Sequence, residues 1–302
     1  MPHVIDAQHL HKRYKDFVAV HDASFDVQEG EIFGLLGSNG AGKTTTVEIL
    51  QGLRRADGGE LRVLGLDPAT QAQELRRRIG SQLQQSALPD HVRVGEALDL
   101  FSAIIPGGHD WRHVMEQWGL ADKRKDSFHG LSGGQKQRLF IALALVNDPE
   151  LVFLDEMTTG LDPAARRVAW DLVRRVRDMG TTVVLVTHFM EEAERLCDRI
   201  AVMDAGRIVA EGSPSELVAQ HAESVTVAFS TDEPDVRWLA DVPYAGRVAR
   251  HGERVEVRGT GPVLAHVAAA LVARGITPPD LHVDQPTLED VFLKLTGHAM
   301  EE

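Results

Sequence analysis

The sequence predicts an α/β core carrying an N-terminal antiparallel β subdomain and a helical insert, followed by a small C-terminal α+β domain. Three observations predict it. Apolar runs of strand length, residues 151–154 (LVFL) and 182–186 (TVVLV), each end in residues able to do chemistry. Such runs fit strands buried on both faces of a parallel sheet. A third run, 31–36 (EIFGLL), feeds a glycine-rich stretch, 37–45 (GSNGAGKTT), that continues as a helical pattern. After residue 216 the spacing changes to β-α-β-β-α-β, a two-layer α+β arrangement.

In chain order, residues 4–7 and 23–27 alternate apolar and polar around a turn at Glu29-Gly30 and read as antiparallel strands. Tyr14 lies between them in a charged stretch (KRYKD), as a surface aromatic or a platform for a purine ring. The stretch 37–45 fits G-x-x-x-x-G-K-[ST]. Its glycines let successive N–H groups converge on phosphate oxygens, and a helix beginning near Gly42 adds the positive end of its dipole. Lys43 suits the β- and γ-phosphates and Thr44 suits Mg²⁺. Glycines at 34, 37, 40 and 42 do not fit the dinucleotide fingerprint G-x-G-x-x-G. The core therefore reads as a P-loop NTPase fold.

Residues 58–63 read as a turn and strand, 72–78 as a short basic helix and 79–85 as a strand ending in polar residues. A helical insert follows at about 90–130, with helical spacing at 94–105 and 111–118 around Pro106-Gly107-Gly108. Residues 131–138 (LSGGQKQR) open an apolar helix at 139–146; Ser-Gly-Gly at a helix start is a second candidate anion site. Asp155 and Glu156 end the next strand, one suited to Mg²⁺ and the other to orienting or deprotonating a water. As strand neighbours they are expected on opposite faces, with different tasks. A turn at 158–163 leads into the helix 164–179, and the strand 182–187 ends at His188, at the edge where α/β sheets bind ligands.

A helix at 216–218 leads to strands at 225–229, 248–250, 255–257 and 280–284 and helices at 236–241, 263–274 and 288–295. A net charge of −13 disfavours nucleic acid, which needs basic patches. The single cysteine, Cys197, excludes an internal disulfide framework and a cysteine metal site. The N-terminus has no signal pattern, and the longest apolar stretches fall short of the roughly 18 residues of a membrane helix. A soluble cytoplasmic chain is expected, with any membrane role coming through a partner.

In this order the motifs of residues 3–215 resemble the nucleotide-binding subunit of an ABC transporter. The resemblance implies an ATPase that uses ATP and Mg²⁺. It implies adenine stacking on Tyr14 and a phosphate loop of Gly37, Ser38, Asn39, Gly40, Ala41, Gly42, Lys43, Thr44 and Thr45. It makes Gln84 the glutamine that touches Mg²⁺ and relays to the membrane subunit, though Gln82 and Gln85 stand close by. Ser132, Gly133, Gly134 and Gln135 fall in the signature that binds the γ-phosphate held by an opposite subunit. Asp155 becomes the metal aspartate, Glu156 the catalytic carboxylate, Asp162 the D-loop aspartate and His188 the switch histidine. Ser38 and Met157 depart from a frequent proline, and neither removes a phosphate-binding group.

The implied partners are a second copy or a homologous ATPase subunit, packed head-to-tail, and a separate permease on the inner face of the membrane. The strip 85–90 is the expected permease contact, and the domains divide as 1–215 and 216–302. The tail 286–297 (PTLEDVFLKLTG) is similar to the drug-resistance branch, the daunorubicin exporter type, and implies export of a drug, antibiotic or other amphipathic compound. The alternative is a non-transport ABC ATPase acting on a soluble or nucleic-acid partner. A metabolite kinase leaves the signature and His188 unexplained, and a non-hydrolysing regulatory module does not need Glu156.

Overall fold

The computed structural model describes residues 3–82, 88–104, 110–221, 224–284 and 286–298. Two compact units divide the chain, one running to Pro214 and the other from Ser215. The first opens on a long hairpin, β1 (His3–Tyr14) and β2 (Phe17–Gln28), turned at Lys15, which has a left-handed φ of 49°. Then follow β3 (Ile32–Leu36), α1 (Lys43–Leu50), β4 (Gly58–Val63), α2 (Ala72–Leu75) and β5 (Ile79–Gln82). The helical insert contributes α3 (Val94–Ala103) and α4 (Trp111–Gln117), and α5 (Gly133–Leu145) returns to the core. The rest is β6 (Leu151–Asp155), α6 (Pro163–Asp178), β7 (Thr182–Thr187), α7 (Met190–Leu196), β8 (Arg199–Asp204) and β9 (Arg207–Gly212).

These strands form one sheet in the order β4-β1-β2-β9-β8-β3-β7-β6-β5. From β8 to β5 neighbours run parallel, while β1, β2 and β4 pair antiparallel and β9 is antiparallel to β8. Every residue of β3, β6 and β7 is buried, which explains why their sequences are largely apolar without alternation. Register sets the site: Leu36 lies opposite Thr187, and Val186 lies opposite Asp155. The carboxyl ends of β3, β7 and β6 therefore open side by side.

Two features differ from the sequence reading. The pattern between 189 and 212 leaves α7 and the β8–β9 hairpin unassigned, although β8 sits inside the sheet beside β3. In addition, β6 stops at Asp155, and Glu156 leaves it with a left-handed φ of 47°. The two acids thus separate because the backbone turns between them, not by the alternation of a strand. Such a conformation is costly for a residue with a Cβ and holds only where neighbours enforce it.

The second unit begins with α8 (Pro214–His221), which crosses the division. It continues with β10 (Val225–Ser230), a 3₁₀ turn (Arg237–Asp241), β11 (Ala245–His251), β12 (Arg254–Gly259), α9 (Val263–Ala273), β13 (His282–Asp284) and α10 (Leu288–Thr296). The order is the expected one, with the 3₁₀ turn as the first helix. An antiparallel sheet, β11-β12-β10-β13, buries Val227, Phe229, Val255 and Val257 against Val263, Val267 and Leu271 of α9. Among the described residues no helix is long and apolar enough to cross a membrane.

Candidate nucleotide site

Strand β3 delivers residues 37–42, and α1 begins directly after them with Gly42 at its N-cap. Glycine is required at two of these positions by space. A Cβ on Gly37 would stand 2.3 Å from the Met203 carbonyl oxygen, and one on Gly42 2.4 Å from that of Ala19. Gly42 also has φ near 104°, open to glycine at little cost. No acidic side chain occupies the first turn of α1, so its positive end remains available to an anion.

Lys43 is buried and turns back on the loop, Nζ donating to the carbonyls of Gly37 at 2.7 Å and Ser38 at 2.9 Å. Burial lowers its pKa, and the charges of Glu156 and Asp155 draw it back up. The ammonium thus lies in the field of both acids. A cavity of about 330 Å³ opens over the loop. Its lining comprises Asn39, Gly40, Gly42, Lys43, Thr44 and Thr45, with Phe17 and Ala19 of β2 and Glu156. A larger hollow, about 580 Å³, lies against β1 and β4 but contains none of the phosphate-loop residues or strand-end acids. Asp57 in its wall is already engaged by Lys12 and the backbone of Arg13, both at 2.8 Å.

Asp155 is 3% exposed, and its Oδ1 has no hydrogen-bond partner among the described residues. Burial, and then the neighbouring Glu156, push its pKa up to about 6, against the pull of Lys43. A buried carboxylate oxygen with no donor lacks a cation or a proton. With the exposed hydroxyl-bearing Thr44 in the cavity wall, the donor set is one of hard oxygens and fits a small divalent ion.

Glu156 is fixed by its backbone N–H, which donates to Val186 O at 2.9 Å. Its Oε1 lies 3.1 Å from His188 Nδ1, and both side chains are nearly buried. An ionised carboxylate only accepts, so Nδ1 is the donor in this pair. The Phe189 ring packs 4.1 Å from the imidazole. Carboxylate and imidazole therefore act as one oriented unit at the cavity edge.

Other expected residues lie elsewhere. Tyr14 does not line the cavity; Arg54 lies over its ring at 5.0 Å and Lys12 at 5.6 Å. The aromatic at the cavity is Phe17, 62% exposed and directly opposite Tyr14 in the β1–β2 register. Its signal in the sequence is a large apolar residue placed next to a charged turn. Gln82 is buried and receives Gln137 Nε2 at 3.5 Å, while Gln84, Gln85 and part of the strip 85–90 lie outside the described residues. Ser132 caps α5, its Oγ accepting from Gln135 N at 3.3 Å while Gln135 Oε1 accepts from Ser132 N at 2.8 Å. That capping box satisfies the helix start. Asp162 caps α6 through Oδ1, accepting from the N–H groups of Ala164 and Ala165 at 2.9 Å each. Neither cap reaches the cavity lining.

Residues 20–159 match a family model described as "ABC transporter". The Nod factor export ATP-binding protein I of Rhizobium sp. (strain N33) is 39% identical over 305 residues, spanning 99% of this chain and 98% of that protein. The protein of that name from Burkholderia pseudomallei (strain K96243) is 40% identical, with 98% of each covered. A solved structure described as the ATP binding subunit of an ABC transporter is 26% identical with a TM-score of 0.64, covering 72% of this chain and 92% of that one. The structure of cbiO1 from Clostridium perfringens, described as part of the ABC transporter complex cbiONQ, is 25% identical with a TM-score of 0.65, covering 73% and 92%.

Proposed function

Because this chain belongs to the ABC transporter family as an ATP-binding subunit, we propose that it hydrolyses ATP to drive a separate membrane permease that exports a drug, antibiotic or other amphipathic compound. One observation supports the chemistry above all. The anion-ready loop, the Asp155 carboxylate, whose Oδ1 has no partner among the described residues, and the Glu156–His188 pair converge at the carboxyl ends of three adjacent parallel strands. In this reading loop N–H groups and Lys43 hold the phosphates, and Lys43 gives up its loop carbonyls to do so. Mg²⁺, when bound, neutralises phosphate charge, and Thr44 and Asp155 are the described residues suited to hold it. Glu156 orients and polarises the attacking water, and His188 fixes Glu156 through Nδ1. Phe17, the aromatic at the cavity, offers the base a surface to stack on, in place of Tyr14.

The signature residues point to a second subunit. Gly133 and Gly134 have no left-handed φ, and a Cβ built on either meets nothing within 4 Å. Glycine weakens a helix, and nothing in the described chain calls for it here. Close approach of another molecule does, and a head-to-tail copy bringing its own ATP is that molecule. Gly134→Ala is expected to leave the melting temperature equal or higher, since alanine is the better helix former by up to about 1 kcal/mol. Turnover should fall by about 10²-fold, the scale of an ångström-sized misplacement at a reacting centre. Wild-type turnover in this variant would remove the second subunit from the mechanism.

We assign the ATPase to residues 1–215 and an accessory role, dimer stabilisation or regulation, to 216–302. Full-length relatives extend across both segments, whereas the two solved structures match 72% and 73% of the chain. The names of those relatives and the resemblance of residues 286–297 to the daunorubicin exporter type support export. The chain then works at the inner face of the membrane through its permease. The direct test is capture from membranes on the Glu156→Gln form with ATP. A polytopic membrane protein in the captured fraction is expected. A soluble complex or nucleic acid in its place would overturn the transport reading.

A further inference from the structure

We infer that Glu192 is a positioning residue for ATP hydrolysis: fully buried, it is hydrogen-bonded to the helix that Asp162 caps and faces the segments that carry Glu156 and His188. The inference rests on the roles proposed above for Glu156 and His188. Glu192 is on α7 and is 0% exposed. Its Oε1 accepts from the indole Nε1 of Trp170 on α6 at 3.2 Å. The hydroxyls of Thr187, the residue before His188, and of Thr158, two residues after Glu156, face the same carboxyl, with Arg166 of α6 nearby. One side chain thus bonds to the helix that Asp162 caps and lies beside the hydroxyls at the end of β7 and in the turn after β6.

The surroundings are polar and incompletely paired. Glu192 Oε2, Thr158 Oγ1 and Arg166 Nε are buried and have no partner in hydrogen-bonding geometry among the described residues. Arg166 also covers the Phe189 ring at 4.5 Å, and Phe189 packs on His188. For stability alone, a buried carboxylate with one neutral donor is costly, and apolar groups in place of the acid and its partners together would serve as well. What the carboxylate supplies is direction, because it can accept from several donors at once. Glu156 needs such support, since its left-handed backbone persists only if the turn through Thr158 is held.

The test compares Glu192→Met, Glu192→Gln and Thr158→Val in the full chain with Glu156→Gln. Each is measured for kcat, KM for ATP and melting temperature. Glu192→Met leaves the indole N–H of Trp170 without its acceptor and should melt lower than wild type. Assayed where it is folded, it should lose about tenfold or more in kcat, with KM within about twofold, as for a group that acts only on transition-state geometry. Glu192→Gln, whose amide oxygen still accepts, should recover most of that loss. Thr158→Val removes one hydroxyl without changing side-chain volume appreciably, and should lower kcat in the same direction. It decides the matter if Glu192→Met does not fold. Wild-type kcat in folded Glu192→Met, or in Thr158→Val where the first does not fold, overturns the inference, provided Glu156→Gln is inactive. An active Glu156→Gln overturns the underlying reading instead. A parallel fall in melting temperature and kcat, unrescued by glutamine, also overturns it, because that is the signature of a purely structural residue.

Discussion

Replacing Glu156 by glutamine is expected to reduce ATP turnover by about 10²–10⁴-fold, the range for loss of a positioned general base, while leaving ATP affinity within a fewfold of wild type. Glutamine keeps the volume and an acceptor oxygen for His188 Nδ1, so the contact at 3.1 Å survives. It brings no new backbone cost, because glutamine and glutamate, alike and unbranched at Cβ, pay the same for φ near 47° at this position. What disappears is the negative charge that polarises a water. The phosphate-binding groups, Lys43 and the N–H groups of the loop, are untouched. Phosphate release and equilibrium titration with ATP measure the two quantities separately. Turnover at the wild-type level would reassign the base. A collapse of ATP affinity would show that Glu156 acts through Lys43, whose ammonium lies in its field.

Much of this site is legible in the sequence because spacing alone fixes it. Gly37 and Gly42 stand where the backbone passes within van der Waals reach of Met203 and Ala19, so no other residue fits. β3, β6 and β7 are buried at every position and mostly apolar because both faces are covered, and each run ends where its chemistry begins. What the sequence hides is set by neighbours distant along the chain. The sheet order, which places β7 between β3 and β6, depends on crossovers that no local period encodes. The β8–β9 hairpin is short and follows a helix without a strong boundary signal. Tyr14 and Phe17 are three residues apart, and only the hairpin register decides which ring faces the loop. Glu192 reads as one acid among several on an exposed-looking helix (MEEAERL), and only packing against Trp170 makes it internal. The turn at Glu156 is hidden for the same reason: alternation extends a strand by one residue that the structure bends away.

Asp155→Asn is expected to act in opposite directions on stability and on activity. In the ligand-free protein burial raises the Asp155 pKa from 3.8 to about 6. A folded-state value above the unfolded one means that the native state binds the proton more tightly between roughly pH 4 and 6, so stability rises as pH falls through that window. Above it the ionised group disfavours the native state by about 3 kcal/mol, the equivalent of a shift of some two units. Asparagine removes that cost. Its variant should therefore melt higher than wild type at pH 7.5, with the gap shrinking as pH falls towards 4. The gap isolates this residue, because Glu31 and Glu211, also raised by burial, titrate in both proteins and cancel. Asp57 and Asp67, lowered by their hydrogen bonds, cancel likewise. Activity moves the other way: with Mg²⁺ and ATP, turnover should fall by about 10³-fold, since a metal clamp contributes several kcal/mol to such a reaction. The thermal protection that Mg²⁺ and ATP give wild type should be reduced as well. Differential scanning calorimetry between pH 4 and 8, with and without Mg²⁺ and ATP, measures both arms. A variant that melts lower than wild type at pH 7.5 would show that Asp155 is held by partners after all, and its unpartnered oxygen would no longer argue for a metal.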